Sequence, residues 1–279
     1  MGYIDLHVHS TESDGTMTPR QLVGYACEKG LTAFALTDHD TVKGVAPALK
    51  TAEGMPVTVI PGVELSCKWN DMEIHLLGYY IDHNNQEFVS VLKEINSMRD
   101  ERNNKMCALL RKRGVDITVD EMRARYNSTT ITRANIAAML VEKGYCSSTK
   151  EAFEKFIGKT CPCYIPRYKM PLAQASDLIK FAGGIPVIAH PVQYRLTDME
   201  YVSLFNFAKT IGIDGVEAIY STNTFADTVK FQEFAKKFNM FITGGSDFHG
   251  ANKPDIDMGT GTGSLMVPDT ILDNLRRVK

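Results

Sequence analysis

Histidines at the ends of predicted β-strands are the residues of this sequence best suited to do chemistry. The 279-residue sequence has seven histidines, and six of them lie in or directly after a predicted strand. The six are His7, His9, His39, His75, His190 and His249. Alternation along an extended strand puts His7 and His9 on one side, so the two imidazoles could share a metal ion. The seventh, His83, lies in the polar stretch 82–85 and is interpreted as a solvated turn residue.

Carboxylates accompany these histidines at the same strand ends. Glu64 ends the third predicted strand, and Asp247 precedes His249 by two residues, on the same side of an extended chain. Imidazole together with carboxylate suits Zn, Mn or Fe better than Ca. The alternative, a set of hydrogen-bonded core histidines, would have to account for six histidines and several acids at separate strand ends at once. The pattern therefore favours a metal centre.

Short β-rich runs alternate with helical patterns toward both ends of the chain. The predicted strands are 3–8, 32–37, 57–67, 73–81, 185–189, 215–220 and 240–244. The predicted helices are 19–29, 43–53, 172–182, 197–211, 225–238 and 269–277. This alternation implies parallel strands with covering helices, and in an α/β barrel the carboxyl ends of the strands converge on one mouth. The strand-end histidines and carboxylates are therefore expected to meet there.

The middle of the chain breaks this alternation. Residues 98–167 show only helical segments and loops, with helices expected to end near Arg113 and to span 119–125, 133–142 and 149–156. This stretch has 14 Lys/Arg and 8 Asp/Glu, a net charge of +6, whereas the remainder has a net charge of −8. We therefore predict a barrel formed by 1–97 and 168–279, and a basic helical insertion over 98–167 that acts as a lid for anions.

Composition and charge exclude several classes of protein. The formal net charge of −2 argues against a protein that coats DNA, and no apolar run approaches the roughly 18–20 residues of a membrane span. The N-terminus lacks the basic and apolar regions of a secretory signal. The six cysteines are scattered apart from Cys161 and Cys163, whose spacing is poor for a disulfide or a metal clip. A cytoplasmic protein with reduced thiols, without a membrane or a stable protein partner, is the prediction.

Five short motifs, in order along the whole chain, carry a family resemblance. They are His7-Val8-His9-Ser10 with Asp14-Gly15-Thr16, Thr37-Asp38-His39-Asp40, Pro61-Gly62-Val63-Glu64, Ala189-His190-Pro191 and Gly245-Ser246-Asp247-Phe248-His249. The sequence thereby resembles the PHP (polymerase and histidinol phosphatase) metallo-phosphoesterases. The resemblance implies a distorted (β/α)7 TIM-like barrel that holds two or three divalent ions of Mn, Zn or Fe.

The resemblance also implies how the metal ligands divide. The first metal would be held by His7, His9, Glu64 and Asp247. The second would be held by Glu64, His75 and His190, with Glu64 bridging the two ions. The third would be held by Asp14, His39 and His249. Some relatives carry histidine where this chain has Asp14.

Within the family, the sequence is similar to the subgroup that removes the 3′-phosphate from nucleoside 3′,5′-bisphosphates and trims short RNA from the 5′ end. That subgroup has a helical insertion at the same place, an Arg before an apolar helix (here 133–137) and a Tyr-x-Pro segment (here 164–166). Ala134 stands where Pro is frequent. The resemblance implies a small nucleotide-like phosphate or short RNA as the substrate.

Metal-assisted hydrolysis of a phosphate monoester is the predicted reaction. Divalent ions screen the phosphate oxygens and lower the pKa of a bound water, so that hydroxide is available at neutral pH. Arg133, Arg167 and Arg195 are predicted to bind the remaining phosphate oxygens. Asp38 and Asp40 flank His39 and could orient a ligand or transfer a proton. Two alternatives stay open: a histidinol-phosphate phosphatase, and a metal-binding accessory domain without turnover.

Overall fold

The computed structural model describes residues 2–126 and 130–278. Within these ranges the chain forms two compact units. The first comprises the residues up to Val89 together with those from Lys169 onward, and the second is Ser90–Tyr168. Each has a buried apolar core of its own. We call them the barrel unit and the insertion unit.

A nearly closed sheet forms the barrel unit. Its strands are β1 (Tyr3–Val8), β2 (Leu31–Leu36), β3 (Thr58–Trp69), β4 (Met72–Tyr79), β5 (Met170–Pro171), β6 (Ile185–Ile188), β7 (Gly215–Tyr220) and β8 (Phe241–Gly245). They follow the order β1-β2-β3-β4-β6-β7-β8, with β5 beside β3. Just after β8, the N–H of Asp247 donates to the carbonyl of His7 at 2.8 Å, which joins the last strand to the first. The predicted TIM-like α/β barrel is confirmed.

The direction of one strand differs from the prediction. β4 pairs antiparallel with both β3 and β6, whereas the alternation of strands and helices predicted parallel strands. Trp69 pairs with Met72, so only Asn70 and Asp71 connect β3 to β4, with Asn70 at a φ of 51°. A two-residue turn makes a hairpin, and the strands of a hairpin are antiparallel. This geometry places Glu64 and His75 on adjacent strands.

Helices cover the barrel and build the insertion unit. They are α1 (Pro19–Glu28), α2 (Val45–Ala52), α3 (Gln86–Arg111), α4 (Val119–Tyr126), α5 (Arg133–Glu142), α6 (Thr149–Ala152), α7 (Leu172–Phe181), α8 (Asp198–Thr210), α9 (Phe225–Lys237) and α10 (Ile271–Val278). Thr18 caps α1, and its side chain accepts from the N–H of Gln21 in a capping box. Among the described helices, not even the 26-residue α3 combines the length and apolarity that crossing a bilayer requires.

Alternating side chains along the strands divide the barrel core into two layers. Ala33 and Ala35 of β2 pack in one cluster with residues of β1, β3 and β6. Phe34 and Leu36, on the opposite face, pack against Leu22 of α1 and its neighbours. The side chains of both layers are almost fully buried, so the backbone of each strand is held firmly up to the residue where it ends. The polar strand ends are therefore presented from a rigid base.

The insertion unit has a separate core built by α3, α4, α5 and the segments after them. Its buried apolar side chains include Met106, Leu110, Ile117, Met122, Ile131, Ile136, Leu140, Ile157 and Cys163. The helix predicted over 149–156 divides into α6 and a π-helical turn, Phe153–Ile157. The carbonyl of Phe156 accepts a hydrogen bond from the N–H of Cys163 at 3.0 Å. The carbonyl of Phe156 thus accepts a hydrogen bond from a residue outside the helix, in the segment where the helix changes from α to π.

Candidate metal centre

The strands position the predicted metal ligands at one end of the barrel. His7 lies within β1, Glu64 within β3 and His75 within β4. The others follow strands directly or lie in the loops behind them, and they are His9, Asp14, His39, His190, Asp247 and His249. Asp247 has a φ of 59° and His190 a φ of 22°, conformations that an L-residue adopts only when its surroundings hold it there. The backbone is thus bent where these side chains turn toward one another.

Glu64 is the centre of the arrangement, and its side chain is almost fully buried. Its Oε2 lies 3.3 Å from Nε2 of both His7 and His9, and 3.0 Å from Nδ1 of His39. Its Oε1 lies 2.8 Å from Nδ1 of His75 and 3.0 Å from Nε2 of His190. One carboxylate therefore faces five imidazoles, with its two oxygens directed at different sets. This is the arrangement that a carboxylate bridging two ions requires.

Two aspartates complete the surroundings of these imidazoles. Asp247 Oδ1 lies 3.3 Å from His9 Nε2. Asp14 Oδ1 lies 3.2 Å from His249 Nε2, and its Oδ2 lies 3.8 Å from His39 Nε2. The structure thus brings all nine predicted ligands into contact with at least one other member of the set.

Among the described residues, potential ligand atoms form three groups, and within each group all of the atoms lie within 4.8 Å of one another. They are His9, Asp14, His39 and His249; His7, His9 and Glu64; and His39, Glu64 and His75. His9 and His39 each belong to two groups. The groups therefore overlap more than the division into three separate sites that the resemblance implies.

Orphaned buried atoms test whether these residues fit metal ions. The ligand atoms His7 Nε2, His9 Nε2, Asp14 Oδ1, His39 Nδ1 and Glu64 Oε2 are buried and make no hydrogen bond within the described residues. Buried polar atoms are rarely left without a partner, since each costs about 1–3 kcal/mol. Lone pairs of imidazole and carboxylate that converge without hydrogen bonds fit Zn, Mn or Fe. The donor set therefore fits divalent transition metals.

The electrostatics of the cluster shift the pKa values of the candidate ligands in different directions. Burial would raise the pKa of Glu64, but the imidazoles of His39 and His75 outweigh burial and hold that pKa well below its usual value. Burial lowers the pKa of His9 to about 4, and repulsion from His249 adds to the effect. Burial would also lower the pKa of His75, but Glu64 raises it to about 9. Glu64 is therefore held as a carboxylate and His9 as a neutral imidazole, the states in which each can donate a lone pair to a metal ion, whereas Glu64 holds a proton on His75.

Glu217, in β7, orients one of the ligands. Its Oε1 lies 3.0 Å from Nδ1 of His7 and can accept a hydrogen bond from a proton on that nitrogen, the tautomer that frees Nε2 for a metal ion. Its Oε2 accepts from the backbone N–H of His190 at 2.7 Å. The sequence alone does not distinguish a pocket-lining role of Glu217 from a structural ion pair. A carboxylate within a predicted strand, near the other candidate residues, is the one signal that the sequence offers.

Asp38 and Asp40 tie down the loops that carry ligands. Asp38 is buried and accepts hydrogen bonds from Ser10 N–H at 2.7 Å, Ser10 Oγ at 2.7 Å and Ser13 Oγ at 2.6 Å. Burial raises the pKa of Asp38 to about 6. Asp40 accepts from the N–H of Ser66 at 3.1 Å, and its own N–H donates to the carbonyl of Glu64 at 2.9 Å. These contacts support an orienting role, and proton transfer by either carboxylate stays a prediction.

Two further residues contact Asp247 and were missed by sequence reasoning. Its Oδ2 accepts hydrogen bonds from Tyr220 Oη at 2.7 Å and from Lys253 Nζ at 2.6 Å. Burial would lower the pKa of Lys253, but Asp247 raises it above its usual value, so the side chain is an ammonium ion. Neither residue belongs to a recognisable motif, and only folding brings them to the carboxylate.

The predicted phosphate-binding arginines lie in both units. Arg195 is exposed in the barrel unit, directly after the short 3-10 turn Pro191–Tyr194. Arg133 begins α5 in the insertion unit, with its guanidinium 5.6 Å from the ring centre of Phe153 and 5.4 Å from that of Tyr164. Two aromatic faces therefore hold this guanidinium by cation–π contact.

A buried arginine that the sequence analysis did not identify lies close to Arg133. Arg102, on α3, is 7% exposed, and its Nη1 donates to the sulfur of Met106 at 3.1 Å. Burial lowers the pKa of Arg102 to about 9. Repulsion from Arg167 and Arg99, and less from Arg133, contributes to this shift. These four residues, the arginine cluster of the insertion unit, concentrate positive charge in one place.

Imidazoles and carboxylates clustered at one end of a barrel are typical of a metal-dependent hydrolase. Comparison with known proteins shows which kind of bond such an enzyme hydrolyses. Residues 5–158 match the family model described as PHP domain. The chain belongs to the PHP family of metal-dependent enzymes that hydrolyse phosphate esters.

Relatives of known name cover nearly the whole chain. A 5′-3′ exoribonuclease of Haemophilus influenzae is 32% identical over 245 residues, 88% of this chain and 89% of its own. A 3′,5′-nucleoside bisphosphate phosphatase of Chromobacterium violaceum is 32% identical over 260 residues, 93% of this chain and 91% of its own. A crystal structure described as a metal-dependent phosphoesterase of Bifidobacterium adolescentis has a TM-score of 0.83 and 28% identity, and covers 98% of this chain and 94% of that one. The expected class of enzyme is confirmed.

Proposed function

We propose that this protein removes the 3′-phosphate from nucleoside 3′,5′-bisphosphates and trims short RNA from the 5′ end, using two or three divalent ions of Mn, Zn or Fe. The observation that carries the proposal is Glu64, whose two oxygens face five imidazoles within 3.3 Å. Relatives of similar length with a bisphosphate phosphatase or exoribonuclease name support the substrate class. A cytoplasmic location stays a prediction.

The residues at the strand ends would bind the metal ions that act on the reacting phosphate. His7, His9, Glu64 and Asp247 would hold one ion, and Glu64, His75 and His190 a second. Asp14, His39 and His249 would hold a third. When bound, the ions screen the phosphate oxygens and supply a hydroxide at neutral pH. Glu217 would keep the His7 proton on Nδ1, and hydrogen bonds from Ser10 and Ser13 would hold Asp38 in place, so both carboxylates would orient the residues that bind the ions.

The arginine cluster of the insertion unit is our candidate for the second phosphate. Arg102 is buried without a carboxylate partner among the described residues, and its lowered pKa expresses first the cost of burial and then the cost of confining like charges. A dianionic phosphate would remove that cost and accept charge-assisted hydrogen bonds. Arg133 also stands in the first turn of α5, where backbone N–H groups favour an anion. Histidinol phosphate has one phosphate and an amine, so it offers the cluster no second phosphate.

Parallel phosphate-release assays test the proposed function. Metal-loaded protein is given adenosine 3′,5′-bisphosphate, histidinol phosphate or p-nitrophenyl phosphate under the same conditions. We expect the highest kcat/KM for the bisphosphate, with 5′-AMP as product. A higher value for histidinol phosphate would establish the alternative phosphatase, and no release from any of the three would favour the accessory domain.

Asp14→Ala is expected to remove about one metal ion per chain and leave the pair bridged by Glu64 in place. Asp14 contacts His249 and His39 at 3.2 and 3.8 Å, whereas His75 and His190 face Glu64 Oε1 at 2.8 and 3.0 Å and keep that contact in the variant. Metal analysis of the purified variant is the measurement. Loss of every ion would show that the division into three sites is wrong. Asp255→Ala, an exposed acid in the loop after β8, is the matched control.

Glu217→Gln is expected to weaken metal binding by about 10- to 100-fold, the usual effect of removing the carboxylate behind a ligating histidine. The amide can present its N–H₂ to His7 Nδ1, which disfavours the tautomer with a free Nε2. The measurement is the dissociation constant for Mn²⁺ of the purified variant. An unchanged constant would make Glu217 a purely structural partner of His190.

A further inference from the structure

The two oxygens of Asp247 have different surroundings. Oδ1 faces the ligand imidazoles, 3.3 Å from His9 Nε2. Oδ2 accepts two hydrogen bonds, from Tyr220 Oη at 2.7 Å and from Lys253 Nζ at 2.6 Å. Two donors occupy the two lone pairs of a carboxylate oxygen. Asp247 can therefore give a metal ion Oδ1 alone.

Lys253 brings a positive charge to a site built to bind cations. Its backbone is fixed, because its N–H donates to the carbonyl of Gly250 at 3.0 Å and its carbonyl accepts from Ile256 at 3.0 Å. Its side chain is 35% exposed, so water screens the charge only in part. An ion on Oδ1 and the ammonium on Oδ2 would be separated by one carboxylate group. At that distance the two cations repel each other.

A neutral donor would orient Asp247 without this repulsion, and Tyr220 is such a donor. Tyr220 is itself held by Gln193, whose amide hydrogen-bonds to its hydroxyl. The orientation of Oδ1 therefore survives the loss of Lys253. What the loss removes is the charge, and with it the competition between the ammonium and a metal ion for the electrons of one carboxylate.

We propose that Lys253 is an affinity-determining residue that weakens metal binding at Asp247 and limits this carboxylate to one coordinating oxygen. The inference rests on the proposed metal centre. It makes the ion at Asp247 the more readily exchanged one, since the Glu64 oxygen that faces His75 and His190 has no lysine or arginine within ion-pair distance among the described residues. Lys253 and Tyr220 donate to the same oxygen, yet their removal should change metal affinity in opposite directions.

Binding of Mn²⁺ alone to chelator-treated full-length protein tests the proposal. Titrations of wild type, Lys253→Met, Lys253→Gln, Lys253→Arg and Tyr220→Phe are compared, and Asp247→Asn identifies which binding step belongs to Asp247. We expect both neutral lysine variants to bind Mn²⁺ at that step about fivefold more tightly, with the gain shrinking as salt is raised. Lys253→Arg should stay within about twofold of wild type, and Tyr220→Phe should bind more weakly.

The outcomes separate this inference from the function on which it rests. Equal or weaker Mn²⁺ binding by both Lys253→Met and Lys253→Gln overturns the role of Lys253 and leaves the metal centre standing. Wild-type protein that binds no Mn²⁺ overturns the metal centre, and this proposal with it. A gain in Lys253→Met that salt does not alter would show that packing, rather than charge, was relieved, and would also overturn the proposal.

Discussion

Glu64→Gln is expected to lower kcat for phosphate release by about a thousandfold or more, and to remove more than one metal ion per chain. Both oxygens of Glu64 face imidazoles at 2.8–3.3 Å, so its charge serves two groups of ligands at once. An amide has no net charge, and its nitrogen offers no lone pair to a metal. The measurement combines steady-state kinetics with metal analysis of the same protein sample.

Two controls separate loss of metal from loss of fold. Glu53→Gln changes the same residue type at an exposed position after α2 and should keep both metal and activity. His83→Ala removes the one histidine outside the cluster and should do the same. A Glu64→Gln variant that keeps its full complement of metal and its rate would contradict the bridged centre.

Arg133→Ala is expected to lower kcat/KM for a nucleoside 3′,5′-bisphosphate by about 10- to 100-fold. This corresponds to about 1.5–3 kcal/mol, the range for a hydrogen bond to a charged group. The reason is that Arg133 would contact the phosphate that does not react, together with the neighbouring arginines. The loss should be much smaller for p-nitrophenyl phosphate, which has no second phosphate. Salt should reduce the preference for the bisphosphate, because the cluster acts through its charge.

Arg125→Ala provides the matched control for Arg133→Ala. Arg125 is exposed in the same unit and forms an ion pair with Glu142 at 2.8 Å. It carries the same positive charge as Arg133 but is not part of the arginine cluster. We expect Arg125→Ala to change neither substrate's kcat/KM appreciably. Equal losses on both substrates in Arg133→Ala would mean that Arg133 serves the reacting phosphate or the fold. No loss on either would make it a surface arginine.

The fold was predictable wherever the spacing of the hydrophobic residues and the capping residues indicate the same helix or strand. Thr18 and Gly30 mark both ends of α1, and the predicted strand 3–8 matches β1. The hairpin between β3 and β4 was missed, because Asn70 and Asp71 resemble the start of any polar loop. The direction of β4 follows from the length of that turn, which hydrophobic patterning does not report.

The candidate site was predictable to the extent that its residues follow strands. His7 and His9 are separated by one residue along a predicted strand, so the sequence alone identifies them as a pair on one side. The sequence alone does not identify Glu217, Lys253 or Arg102, since the contact partners of each are brought near only by folding. Glu217 and His7, for example, are 210 positions apart in the sequence. Such contacts between distant residues leave no local pattern in a single sequence.

Hydrolysis of adenosine 3′,5′-bisphosphate in water enriched in oxygen-18 tests the central claim most directly. The claim is that the metal centre transfers the 3′-phosphate to a solvent oxygen. We predict 5′-AMP without the heavy isotope, inorganic phosphate with one heavy oxygen, and no reaction after the metals have been removed by chelation. Adenosine 3′-phosphate as the product, heavy oxygen in the nucleoside, or an unchanged rate in metal-free protein would contradict the account.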